Sequence, residues 1–261
     1  MLIDDDTVER IHLLWDELAD FDAARADDAL NHLLAGLCGL ADAQNANWVG
    51  VVRMADVLPG DPVHGWRPRG IRYLHPSQPV AERVSALTKN LEQGKVDETT
   101  VRNVALAGRF RTNLVADLAP EGWFDSDHYH RYYLAAGHAD IIWAGVPINA
   151  DAECYFGIFR DADHPRFTPA ECDLVAYVLR GLKWFYRQHM LSRGLMVATA
   201  PLTATEREVL GGLLTGLSEK QIAAAQGQSY HTTHGHVAAL YRKFGVNNRA
   251  ALMALWLGKA A

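Results

Sequence analysis

The sequence predicts an α+β chain in two parts: a larger first part with helices on an antiparallel sheet, and a second part of four helices. Three observations predict it. Up to Leu191 the hydrophobic patterns run helix, two strands, helices, two strands, long helix. Between Arg193 and Pro201 the periodicity lapses, with Arg193-Gly194 and a proline in the gap. Beyond Pro201, helix-start signals recur at Thr203, Ser218 and Ser229, spacing that suits only short, mutually packed helices. The expected boundaries are therefore 1–192 for the first domain, 193–201 for a linker and 202–261 for the second.

Each element has its own signal. Residues 7–19 and 22–42 carry apolar side chains at helical spacing, Val8, Ile11, Leu14/Trp15, Leu18 and then Leu30, Leu33/Leu34, Leu37. Trp48 to Met54 is a strand-like run, Leu58 to Gly65 a loop by its Pro and Gly content, and Arg69 to Leu74 the return strand. Helical patterns over 78–92 and 97–108 are divided by Gly94. Ile141 to Ile148 and Cys154 to Phe159 form a second strand pair around Asn149-Ala-Asp151. Thr168-Pro-Ala-Glu171 then opens a long helix to about Leu191, with Pro at the first helical position and Glu three residues after the cap.

Composition excludes several classes. The chain has 261 residues, 49% hydrophobic and 21% charged, enough for a real core. The first residues are acidic where a secretory signal needs a basic start, and no apolar run is long enough to span a bilayer, so no membrane partner is expected. Cys38, Cys154 and Cys172 are far apart and form no CxxC pair, which points to reduced thiols in a cytoplasm. The net charge of -6 argues against a DNA partner until it is divided. From Leu202 onward there are six Lys/Arg and three Glu, leaving 19 basic and 28 acidic residues before it, or +3 against -9.

The C-terminal part carries the most specific pattern. Thr203-Ala-Thr-Glu206 and Ser218-Glu-Lys-Gln221 are capping boxes, the first followed by the apolar face Val209, Leu210, Leu213, Leu214, Leu217. Gly227-Gln-Ser229 is a tight turn, and Ser229 caps a third helix reaching Phe244. In that helix Thr233, Val237, Leu240 and Phe244, at spacings of 4, 3 and 4, face inward, with His236 near them. His231, His234, Gly235, Ala238 and Arg242 share the outward face. Asn248 to Leu257 is a fourth helix, and the whole is the layout of a helix-turn-helix reader.

The segments Leu202–Leu210, Gly216-Leu-Ser-Glu-Lys-Gln-Ile-Ala223 and Thr232–His236 through Tyr241–Arg249 resemble the LuxR/GerE-type helix-turn-helix over about 55 residues. The resemblance implies a transcriptional regulator whose third helix enters the major groove of double-stranded DNA and whose fourth helps it dimerise. His231, Thr232, His234, Gly235 and Ala238 would then meet bases or nearby phosphates, while Lys220, Arg242 and Lys243 would neutralise phosphates. The family often has Lys at the position of His234 and a larger residue at Gly235. Few cations imply weak non-specific affinity and a shallow salt slope. Histidines in place of lysine also predict affinity that rises as pH falls toward 6, since imidazole ordinarily titrates near about 6.5.

The N-terminal part is rich in aromatics, densest from Trp123 to Tyr133. Trp123, Phe124, His128, Tyr129, Tyr132, Tyr133 and Trp143 are the candidate walls of an apolar effector site. With the strands 141–148 and 155–160 and the helix from Thr168, residues 22–191 resemble a GAF-type sensory domain, which implies small-ligand binding. Two other sensors have some support. Asp4-Asp-Asp6 with Asp56 mimics a phospho-receiver, and Trp123, Tyr129 and Asp140 mimic an acyl-homoserine-lactone sensor. His128, His130 and His138 with Asp127 lack ligand spacing on one helix face, so neither metal nor cofactor is expected. No nucleophile, phosphate-loop or paired-carboxylate motif stands out, so no enzyme is expected either. The expected function is that of a homodimeric, DNA-binding regulator controlled by a small molecule. The alternative in another class is a partner protein that titrates a second regulator without binding DNA.

Overall fold

The structure, a computed structural model, describes residues 3–54, 59–196 and 202–257. It divides into two compact units, Met1–Trp15 with Asn31–Lys183, and Asp16–Leu30 with Trp184–Ala261. The stretch expected as a linker falls inside the second of these, and its residues 197–201 lie outside the described residues. Residues 16–30 join that unit through close packing: a Cβ placed on Gly211 would stand 3.0 Å from the Cβ of Ala24, and Arg193 pairs with Asp27. Neither contact could be read from local pattern.

In the first unit, Asp4 opens α1 (Asp5–Ala19) by accepting the Thr7 backbone N–H at 2.9 Å and its hydroxyl at 2.8 Å. Asp5 and Asp6 follow in the first turn, where the helix dipole favours negative charge. These acids cap a helix, whereas a receiver's acid pair would stand at the end of a strand, and the receiver reading loses its metal pocket on that ground. Asp56 lies outside the described residues. Leu14 of α1 packs so closely on α2 (Ala26–Ala41) that a Cβ on Gly36 would come within 2.7 Å of it.

The sheet has five antiparallel strands: β1 (Asn45–Arg53), β2 (Trp66–Tyr73), β3 (Arg111–Leu114), β4 (Asp140–Asn149) and β5 (Ala152–Arg160). Their order is β2-β1-β5-β4-β3. Central β5 is buried along its whole length, as a strand covered on both faces must be. Edge strand β2 shifts register against β1 at Gly50/Val51, opposite Pro68, which has no N–H to donate. The sequence pattern predicted four strands; β3 is the fifth, four residues with no apolar alternation, paired from Arg111↔Gly145 to Leu114↔Ile142.

Between the strands lie α3 (Gln78–Glu92), α4 (Glu98–Val104), α5 (Val115–Leu118) and α6 (Asp127–Tyr132). The helix expected over 97–108 is thus reduced to seven residues. The helix expected from Thr168 to Leu191 is two, α7 (Pro169–Arg180) and α8 (Lys183–Ser192). It breaks at Gly181, a weak helix former whose Cβ would meet the Trp15 ring at 3.0 Å, while the Trp15 Nε1 donates to the Val178 carbonyl at 3.1 Å. Cys38, Cys154 and Cys172 are buried free thiols.

The second unit contains the four expected helices, α9 (Ala204–Leu214), α10 (Glu219–Ala225), α11 (Tyr230–Phe244) and α12 (Arg249–Trp256). Val209, Leu210, Leu213, Ile222, Val237, Leu240, Phe244, Leu252 and Trp256 close their shared core. No helix among the described residues is long and apolar enough to cross a membrane.

Candidate functional site

Two sites follow from this architecture, one in each unit. In the second, α10 and α11 are joined by a turn through Gln226, Gly227 and Gln228, with Gly227 at φ +62. These two helices and α9 before them start on side-chain caps. Thr203 and Ser218 form complete capping boxes with Glu206 and Gln221, and Ser229 accepts the Thr232 N–H at 3.0 Å. Such caps bind groups only three residues apart, so the local sequence is enough to set them.

Burial then fixes which face of α11 is free. Thr233, Val237, Leu240 and Phe244 are buried, whereas His231, Thr232, His234, Gly235 and Arg242 are exposed and Ala238 is half-buried. A Cβ on Gly235 would meet nothing within 4 Å, so the surface there is open. Lys220 is exposed at the start of α10. His236 is half-buried between the two faces.

The cations differ in what they are free to do. Lys243 donates from Nζ to the Glu206 carboxylate at 2.7 Å. Glu206 is held below its usual titration range against the opposing pull of burial, by Lys243 and the Thr203 cap. Lys243 thus ties α11 to the start of α9, which weakens the expectation that it serves a phosphate. Arg249 donates to the Leu213 and Leu217 carbonyls and closes the end of α9, another structural role that spacing did not reveal. His234 Nδ1 lies 2.9 Å from Glu219, so the outward face, expected to be poor in cations, also has a carboxylate beside it. Arg242 on the outward face and Lys220 at the start of α10 are exposed cations.

In the first unit a cavity of about 200 Å³ opens between the sheet and the helices α3 and α4. Its walls include Val51, Trp66, Ile71, Leu87, Leu91, Val104, Trp143 and Tyr155, with Arg83, Asp97, Thr99 and Asn103 among the polar groups. Of the seven expected ligand-site residues, Tyr133 and Trp143 line it. Trp123, Phe124, His128, Tyr129 and Tyr132 do not line it. The reason is that the 123–133 aromatics satisfy one another. Trp123 meets Phe124, Tyr129 and Tyr133 with ring centroids 5.0, 5.0 and 5.2 Å apart and becomes core. Trp123 still acts one step back, since its Nε1 donates to Asp97 at 2.7 Å. Tyr129 and Asp140 bond backbone instead, to the Ala139 carbonyl and the Phe167 N–H.

Arg83 is the residue that pattern reading missed. It is 6% exposed, donates from Nη1 to the Tyr73 hydroxyl at 2.6 Å and lies 4.6 Å over the Tyr133 ring. A signal was present: Val80, Val84, Leu87 and Leu91 form the apolar stripe of α3, and Arg83 falls within it. Asp97 opposite is secured by Trp123, by the Thr99 hydroxyl, and by His128 at 3.5 Å. Beneath the floor, Arg111 and Glu153 form a buried pair at 3.0 Å, and Arg111 also donates to the Tyr155 hydroxyl at 2.7 Å. Among the described residues no group of three or more His, Cys, Asp or Glu is placed to share a metal.

The capped helix pair with its turn and exposed second-helix face defines a helix-turn-helix of the DNA-reading class. Residues 200–256 match the family described as bacterial regulatory proteins, luxR family, so the C-terminal unit carries a luxR-type DNA-binding domain. The chain is 50% identical over 54 residues to "Probable transcriptional regulatory protein SgaR" of Hyphomicrobium methylovorum, which is 21% of this chain and 26% of that protein. The match thus spans about a quarter of that relative. Among solved structures, "SdiA in complex with octanoyl-rac-glycerol" is similar at 14% identity with a TM-score of 0.49, covering 100% of this chain and 98% of that one. The VqsR LBD domain from Pseudomonas aeruginosa is similar at 13% identity with a TM-score of 0.46, covering 72% and 98%.

Proposed function

We propose that this protein is a cytoplasmic transcription regulator that binds double-stranded DNA as a homodimer, under control of a small molecule held in the first unit's cavity. The observation that carries the reading is the outward face of α11: His231, Thr232, His234, Gly235 and Arg242, exposed together on a helix of the luxR-type domain. Those side chains can approach base edges, while Lys220 and Arg242 supply charge for phosphates. The cavity, apolar with a few polar groups, supports an effector that shifts how two readers are spaced in the dimer. Nothing in this reading requires a reaction, and regulation without catalysis is the role it assigns.

The test is a mobility-shift series with fragments from upstream of the protein's own gene. Binding that disappears with Lys220→Ala plus Arg242→Ala, while the double variant still melts like the parent, supports the reading. Failure to retard any fragment of the genome overturns it in favour of a partner protein that works without DNA.

A further inference from the structure

The cavity contains a charge that has no ion-pair partner among the described residues. Arg83 is buried at 6% exposure on the apolar stripe of α3, and its Nε has no hydrogen-bond partner among the described residues. Its contacts include a neutral hydroxyl, that of Tyr73, and the Tyr133 ring, and among the described residues no carboxylate pairs with it. A guanidinium taken out of water is costly unless an anion and a full set of acceptors compensate it. The other charged groups facing the cavity are Lys95, exposed toward its mouth, and Asp97. Asp97 already accepts from Trp123 Nε1 and the Thr99 hydroxyl, with His128 close by. Buried His138 is kept neutral, by burial first and by the Arg83 charge second.

Size and walls narrow the class further. An apolar cavity of about 150 Å³ admits benzene, and drug-sized sites run upward from roughly 300 Å³. At about 200 Å³, this one suits a single substituted ring. Trp66, Trp143, Tyr133 and Tyr155 in its wall are suited to pack on an aromatic face.

We propose that the cavity binds a small aromatic monocarboxylate, its ring among these aromatic side chains and its carboxylate on the free donors of Arg83. The proposal rests on the sensor reading given above and adds the effector's charge and size. A bidentate carboxylate would complete the guanidinium, whereas a neutral ester of the same shape would leave it half-served.

The experiment titrates full-length protein with phenylacetate and with its methyl ester, followed by tryptophan fluorescence and thermal shift. Phenylacetate should bind at least tenfold tighter than the ester. Arg83→Met should remove that preference while leaving the ester within about threefold of its original affinity. If Arg83→Met does not fold, the acid-against-ester comparison on the parent still decides, and Arg83→Lys should keep part of the acid preference. Ester binding as tight as the acid overturns the inference and leaves the sensor reading standing. Absence of binding by both compounds up to about 1 mM also overturns it. The sensor reading falls as well only if mass spectrometry of natively purified protein finds no bound small molecule.

Discussion

Replacing His138 with Leu should flatten the acid side of the first unit's stability curve, and the structure sets by how much. The imidazole is 1% exposed, stacks on Phe159 with centroids 3.9 Å apart, and neither ring nitrogen has a partner among the described residues. Burial first, and the Arg83 charge second, push its pKa from 6.5 down to about 3. The folded protein therefore binds fewer protons at this site than the unfolded chain at any pH below 6.5, so stability falls as pH falls through that value. Between about pH 7.5 and pH 5.0 one such group removes roughly 2 kcal/mol, and the loss continues at about 1.4 kcal/mol per pH unit toward the folded value. Leu has neither proton nor unpartnered nitrogen. At about pH 7.5 the variant should lie within roughly 1 kcal/mol of the parent, since lost stacking opposes removal of two unsatisfied polar atoms. Urea unfolding at both pH values, read from the first unit's tryptophans, measures the difference. His128 is also lowered, chiefly by burial, and tilts both proteins alike, so the comparison isolates His138. Equal losses in parent and variant would refute the claim that this imidazole is folded in its neutral form.

Three further outcomes probe the second unit. Gly235→Ala should raise its melting temperature, because an open helix-interior glycine costs about 0.8–1 kcal/mol relative to Ala, yet weaken retardation of operator DNA if the backbone there approaches the groove. Lys220→Ala should lower DNA affinity and reduce the slope of log affinity against log salt by about 0.9 without changing stability, whereas Lys243→Met should cost stability by breaking the pair with Glu206. Circular-dichroism melts beside filter binding separate the two effects. Glu219→Gln should tighten DNA binding, because it removes a negative charge 2.9 Å from His234 on the face that would meet the DNA; fluorescence anisotropy at fixed salt checks it.

The two units differ in how far their sequences can be read. In the C-terminal unit, Thr203, Ser218 and Ser229 bond groups three residues away, and the 4-3-4 spacing of Thr233, Val237, Leu240 and Phe244 sorts one helix into two faces. In the N-terminal unit the four longer strands announced themselves by apolar runs, but β3 depended on partners in β4. The aromatic run 123–133 looked like a binding site because density in sequence resembles convergence in space. Most of its rings instead meet each other, and the cavity is built from residues between Asn47 and Tyr155 that the packing of α3 and α4 on the sheet brings together.

By itself, then, the sequence determined the helix caps, the helix faces and the strand pairs, since these depend on neighbours within a turn or on alternation along one strand. It also determined the DNA-reading motif, which is made of such local signals. Tertiary structure decided which charges are free and which are spent. Lys243 is paired with Glu206, Arg249 closes α9, His234 meets Glu219, and Arg83 is buried with no carboxylate partner among the described residues. A charge acquires its energy from what surrounds it in space, and for these residues the deciding neighbours are set by packing rather than by place in the chain.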